Sequence, residues 1–233
     1  HDFKYVDYPE LIGWWKSIIL KLLIKNSLLR ADKVIAISKF TKNVGEKKVK
    51  RAIDIQVVYE GPSKFLNAPY YEGHVTDFDY LKDKKFFLCV AEDRPHKNLR
   101  ILIKSFKKFL SADQNVDIAC LVIVGKSVGQ LALLCDELEI SKNVMLAESV
   151  NDVNMKFLYK NAHCLVFPSL YEGFGIPLVD AMYHSLPIIT SDRTATCEIA
   201  ENASILIDPE SVEDICGAMQ RVYYDTDTHL KLA

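Results

Sequence analysis

The stretch Pro168-Ser169-Leu170-Tyr171-Glu172-Gly173-Phe174-Gly175-Ile176-Pro177-Leu178-Val179-Asp180-Ala181-Met182 joins HCLVFPS (163–169), which reads as a buried strand, to a helical pattern over 176–185. Such a turn needs glycine where the backbone bends, but it needs neither carboxylate. Gly173 and Gly175 remove side chains just ahead of a helix. Backbone N–H groups there can approach an anion, which the positive end of the helix dipole favours. Glu172 would repel that anion unless it binds a neutral, hydroxyl-bearing part of the same ligand. Asp180, inside the helix, could stand exposed or chelate vicinal hydroxyls. A ligand with a diphosphate in the middle and sugars at both ends fits all three features, and that ligand is a nucleotide sugar. The bland alternative is that Glu172 only complements the helix dipole, worth about 0.3–1 kcal/mol.

Outward from this stretch, strands and helices alternate. KVIAI (33–37) reads as a strand, 38–51 as a helix capped by Ser38, and IQVVYEGP (55–62) as a strand ending in a turn. Periodicity is lost from Pro62 to about Asp83, which marks an irregular connection and a domain boundary. Strands then read at 85–91, 118–125, 143–148, 163–169, 186–191 and 204–208. Helices read at 97–112, 127–139, 151–161, 176–185, 195–202 and 211–223. Apolar strands separated by helices of this length imply an α/β fold with a Rossmann-like parallel sheet covered on both faces.

In such a sheet ligands bind outside the carboxyl ends of the strands. That selects the loops 91–98, 125–130, 148–152 and 168–176. The first reads Ala91-Glu92-Asp93-Arg94-Pro95-His96-Lys97-Asn98. Arg94 and Lys97 bracket the next helix start and can meet a diphosphate, the arginine through charge-assisted hydrogen bonds and the lysine as a point charge. The alternative is a solvated basic turn paired with Glu92 and Asp93. VIVGKSVG (122–129) is not a phosphate-cradling P-loop, because Cys120 stands where its first glycine belongs. The acidic pair Asp77 and Asp79 lies away from any strand end, and no metal site is expected.

The 233 residues are 49% hydrophobic and 26% charged, with a net charge of -2. Nothing in that balance points to general nucleic-acid binding through a basic surface, and no nucleic-acid partner is expected. Six cysteines form no CxxC pair. Cys89, Cys120 and Cys164 lie in or beside apolar runs, as small reduced hydrophobes of a cytoplasmic protein. The chain opens on His1-Asp2 without an initiator methionine, so a fragment is expected. In ELIGWWKSIILKLLIKNSLL (10–29), Lys16, Lys21 and Lys25 interrupt any membrane span, while Leu11, Trp15, Ile18 and Leu22 share another face. The first expectation is a core-packed helix with a solvated face. The second is a peripheral membrane contact.

LYEGFGIPLVDAM (170–182) resembles the signature of retaining GT-B glycosyltransferases, in which a glutamate, seven residues and a second glutamate frame the donor site. RPHKNL (94–99) resembles their phosphate-binding loop, ADKVIAISKFTK (31–42) resembles the strand and helix before their interdomain crossing, and the order of strands over roughly 33–223 is similar. The resemblance implies that residues 1–62 end an acceptor domain, 63–82 form the connection and 83–233 form the donor-binding domain. It implies that Glu172 contacts the donor sugar and the backbone of Gly173, Phe174 and Gly175 the sugar and phosphates. Arg94 and Lys97 neutralise the departing diphosphate. Asp180, one methylene shorter than the family's glutamate, falls at the ribose-binding position. The backbone around Ser149 and Val150 meets the base, and His1 is placed to touch sugar or acceptor across the cleft. Ala91, where glycine is common, and Cys197, where proline often precedes the glutamate matching Glu198, are further departures.

The implied reaction is metal-independent transfer with retention, without a cofactor. GDP-mannose is the first expectation for the donor and a UDP-sugar the second, with a glycan or lipid-linked acceptor of a bacterial surface polysaccharide. The competing readings are a catalytically silent GT-B scaffold that holds nucleotide sugar or a partner glycosyltransferase, and a phosphorylase or epimerase on the same fold.

Overall fold

The computed structural model describes residue 3 and residues 13–49, 54–69, 76–82, 84–112 and 120–232. Six apolar runs form one all-parallel sheet: β3 (Phe86–Val90), β4 (Cys120–Val124), β5 (Val144–Ala147), β6 (Cys164–Phe167), β7 (Ile188–Ser191) and β8 (Ser204–Ile207). Their spatial order is β5-β4-β3-β6-β7-β8. The central strands are apolar on both faces because helices cover both faces, so neither side alternates with polar residues. On one side α3 (Leu99–Ser111) buries Leu99, Leu102, Ile103, Phe106 and Phe109 and packs against α8 (Val212–Tyr224). The order sends the chain one way from β3 and the other way from β6. Their following loops therefore diverge and leave a crevice between them.

The remaining helices of this unit are α4 (Ala132–Glu137), α5 (Asp152–Asn161), α6 (Ile176–Tyr183), α7 (Thr194–Ala200) and α9 (Thr226–Leu232). The helix expected over 127–139 begins as a 3-10 turn at Val128–Leu131. The pattern reading did not include α9.

Ahead of the sheet, α1 (Trp14–Arg30), β1 (Val34–Ala36), α2 (Lys39–Val49) and β2 (Ile55–Val57) surround a parallel β1–β2 pair. Ser38 caps α2 as read, accepting the Thr41 N–H at 2.9 Å. The next two free N–H groups find their acceptor far along the chain: Glu198 takes Lys39 N–H and Phe40 N–H, each at 2.8 Å. The Ser38 and Thr41 hydroxyls donate to the Gly173 carbonyl at 2.7 and 3.1 Å. The start of α2 is thus docked on the loop after β6.

The core-packed expectation for α1 is not met. Trp14 and Trp15 stack at 3.8 Å and are exposed, and Ile18 and Leu22 are exposed with them. Ile24 and Leu28 are the residues that turn toward β1. No helix among the described residues is long and apolar enough to cross a membrane.

The connection after β2 carries two 3-10 turns, Lys64–Asn67 and Asp79–Leu81, and is fastened to the sheet unit. Ser63 bonds Asp180, Phe65 stacks on Tyr159 at 5.2 Å, and Lys156 Nζ donates to the Leu66 and Ala68 carbonyls. Asp77 accepts from Asn154, and Asp79 from Thr76 with Lys82 at 3.1 Å, so that acidic pair is structural. No cluster of metal-ligating residues occurs among the described residues. All six cysteines are free, and burial pushes the Cys89 thiol up to about 12.

His163 gives the fold a pH dependence. Its ring stacks on His229 of α9 at 4.3 Å, and its Nε2 donates to the Val222 carbonyl at 3.1 Å. Burial pulls its pKa down to about 4. The unfolded chain binds that proton near the ordinary histidine value and the fold resists it, so stability is present at neutral pH and falls as pH drops toward 4. Melting temperatures from about pH 7 to about pH 5 should decline less in His163→Phe than in wild type. Equal declines would remove His163 from the account.

Candidate functional site

The loop after β3 runs through a 3-10 turn, Pro95–Lys97, into Asn98, which adopts the left-handed region at φ 61. Asparagine tolerates that conformation. Its Nδ2 donates to the Pro168 carbonyl at 3.2 Å and the Pro209 carbonyl at 2.6 Å, tying this loop to those after β6 and β8. Leu170 N–H adds a bond to the His96 carbonyl at 2.7 Å. The turn thereby aims Lys97 across the crevice. Its Nζ lies 2.6 Å from Glu172 Oε1 and 5.1 Å from the Phe167 ring centroid, and the two charged side chains are only 17% and 12% exposed.

The loop after β6 enters α6 through Gly175 at φ 107, a left-handed position where any side chain is strained. Glu172 is held by its backbone, its N–H on Thr194 Oγ1 at 3.2 Å and its carbonyl on Ala195 N–H at 3.4 Å. Because α2 takes the Gly173 carbonyl, the trans peptide turns the Phe174 N–H away from α2.

Two cavities meet at Lys97. One, of about 450 Å³, is lined by Ala91, Gly125, Lys126, Glu148, Ser149 and Val150 together with Lys97. The other, of about 370 Å³, is lined by Ile37, Glu60, Glu172 and the run from Gly173 to Pro177, again with Lys97. Gly125 closes the first cavity where β4 ends: a Cβ there would lie 2.1 Å from the Ala91 carbonyl oxygen.

Of the residues singled out in the sequence, Lys97, Glu172, Gly173, Phe174, Gly175, Ser149 and Val150 are brought together. Arg94 lines neither cavity. It is 64% exposed and its Nε lies 3.3 Å from Glu92, at the rim of the first. Asp180 is also set apart. It is 2% exposed rather than open, and Ser63 occupies both its oxygens, through N–H at 2.7 Å and hydroxyl at 2.6 Å. Burial raises its pKa, and the two Ser63 donors oppose that rise. His1 lies outside the described residues. Glu60 and Lys126 were missed. Lys126 follows the end of β4, and that position is the signal by which a sequence reading could find it. Glu60 lies in the loop after β2 and carries no local signature.

The arrangement places the Lys97 cation between a cavity lined by Ala91, Gly125, Lys126, Glu148, Ser149 and Val150 and a cavity walled by two carboxylates and a glycine loop. An anion arriving at Lys97 competes with Glu172 for it. Displacing the carboxylate leaves Glu172 free to accept from hydroxyl groups on the second side.

The sequence profile of the family described as glycosyl transferases group 1 matches residues 77–233. The O-antigen chain mannosyltransferase RfbU of Salmonella typhimurium is 28% identical over 225 residues, which are 95% of this chain and 59% of that protein. The alpha-1,3/1,6-mannosyltransferase ALG2 of Dictyostelium discoideum is 26% identical over 179 residues, 69% of this chain and 42% of its own length. Among solved structures, Anabaena HepE in complex with UDP and glucose superposes with a TM-score of 0.76 at 18% identity, over 91% of this chain and 59% of its own. This chain therefore spans about three fifths of RfbU and of HepE.

Proposed function

The chain belongs to the group 1 glycosyl transferases and has the GT-B fold, and from that membership we propose that it binds a nucleotide-sugar donor across Lys97 and transfers the sugar with retention of configuration. The diphosphate sits at Lys97, the nucleoside in the cavity at Ser149 and Val150, and the sugar beside Glu172 and the Gly173–Gly175 backbone. The observation that carries this reading is the Lys97–Glu172 pair, 2.6 Å long and shared between the two cavities at the point where the strand order reverses.

In the proposed reaction the acceptor oxygen bonds to the anomeric carbon from the face that the diphosphate leaves. The carbon–phosphate-oxygen bond breaks, and the acceptor proton passes to an oxygen of the departing diphosphate. Lys97 stabilises the charge that develops there, and Arg94 joins it from the rim by exchanging Glu92 for phosphate. These cations supply neutralisation that a metal ion supplies elsewhere, which supports metal independence. Named relatives that are mannosyltransferases favour GDP-mannose as the donor and a glycan or lipid-linked acceptor. The UDP bound in HepE supports the nucleoside-diphosphate class.

Calorimetric titration of the intact protein with GDP, UDP and ADP, without metal, tests the reading. GDP should bind, and Lys97→Ala should weaken it. UDP binding instead would replace mannose with another sugar. Binding of none would bring forward the catalytically silent scaffold.

A further inference from the structure

We propose that Asp180 is a positioning residue of the transfer reaction: through Ser63 it fixes the crossing segment that carries Glu60 against the sugar side of the donor site. The inference rests on the donor-site reading above and gives Asp180 a role other than holding ribose.

Three observations carry it. Asp180 lines neither cavity, and each carboxylate oxygen is engaged by a different donor of the same residue, the Ser63 N–H and the Ser63 hydroxyl. Two bonds to one residue fix its orientation as well as its position. A buried carboxylate without partners is costly, so this pairing accounts for an aspartate inside an otherwise apolar helix.

The second observation is what the anchored segment carries. Glu60 lies three residues before Ser63 and lines the cavity that holds Glu172, Gly173 and Phe174. Between them Pro62 has a fixed φ and Ser63 is extended at φ -67, ψ 152, which leaves Gly61 as the one residue between anchor and cavity wall that turns freely.

The third is that the segment is anchored on the other side of Glu60 as well. The Tyr59 hydroxyl donates to Glu198 Oε1 at 2.9 Å, and its ring lies 6.0 Å from that of Phe174. Glu60 is thus suspended between two fixed points, both on the donor unit. Loosening the Ser63 anchor leaves the cavity's own residues in place and lets one wall shift. Misplacement on this scale acts on the transition state more than on donor affinity.

The test uses full-length enzyme with Asp180→Ala, Asp180→Asn, Ser63→Ala and the double alanine variant, measuring kcat, donor KM and nucleoside diphosphate affinity. Asp180→Ala should lower kcat about tenfold or more, with affinity within about twofold of wild type. The double variant should be no worse than Asp180→Ala, because both substitutions cut one contact. Asp180→Asn keeps an acceptor for the N–H and a donor for the hydroxyl, and should rescue most of kcat. Amide exchange over residues 59–63 needs no substrate, and it should accelerate about tenfold in Asp180→Ala.

Unchanged exchange overturns the proposal, as does a kcat near wild type. So does an Asp180→Asn variant that loses nucleoside diphosphate affinity while Ser63→Ala keeps it, since that pattern marks direct contact with the nucleotide. A wild-type protein that neither binds nucleotide nor turns over overturns the donor-site reading and this proposal together, and it shows this before any substitution is made.

Discussion

Lys97→Ala is expected to lower kcat by about 10²–10³, a loss of about 3–4 kcal/mol of transition-state stabilisation, as for removal of one preorganised charge contact. Lys97 is 17% exposed, stands where both cavities meet and is, among the described residues, the one cation lining the cavity that holds Glu172, so neither solvent nor a neighbouring cation replaces it there. Steady-state kinetics with the donor identified by calorimetry supply the measurement. Turnover within a few-fold of wild type would take the leaving-group role away from Lys97. Arg94→Ala should cost less, because its guanidinium is 64% exposed and its charge is screened. The change at Lys97 also leaves the Glu172 carboxylate without its cation, so a modest fall in melting temperature should accompany the catalytic loss.

The second large effect is structural. Gly125→Ala puts a Cβ 2.1 Å from the Ala91 carbonyl oxygen and 2.9 Å from the Glu92 nitrogen, and both are backbone atoms. Neither can swing aside, because Ala91 N–H bonds the Val124 carbonyl and Gly125 N–H bonds the Ala147 carbonyl, each at 2.9 Å. The ends of β3 and β4 must separate, at a cost of about 3 kcal/mol or more. For a chain of this size that lowers the melting temperature by about 6–12 °C. Thermal unfolding of the variant reads this directly. A melting temperature within about 2 °C of wild type would mean the strand ends can part freely.

Much of the six-stranded unit was legible in the sequence because its signals are local. FFLCV, CLVIV and CLVF are apolar throughout, as strands buried on both faces must be, and the 99–111 run places its large apolar residues on one helical face. Lys97 and Glu172 could be singled out because each follows a strand end. Their meeting could not, since it depends on β3 lying beside β6, and strand order leaves no periodicity in a chain.

The rest was hidden for the same reason. Ser63 reads as one residue of an irregular connection, and its partner Asp180 is 117 residues away. Asn98 looks like an ordinary helix-start residue until its left-handed backbone and two distant carbonyls are seen. The outward face of α1 illustrates the limit differently. A helix with lysines among apolar residues states which side is polar, but not whether anything covers the other side.

The start of α2 has a consequence for how the protein is made. Two of the N–H groups at that helix end bond Glu198, and Lys39 precedes it by 159 residues. At a synthesis rate of about 5–20 residues per second, the helix emerges roughly 10–30 s before its acceptor exists. During that interval its first turn is capped by Ser38 alone, and the Gly173 carbonyl that later receives Ser38 and Thr41 is itself translated only 135 residues after Ser38. The earlier part of the chain is therefore completed by the later part, and a ribosome stalled before Glu198 holds a nascent chain whose α2 is still open at its first turn.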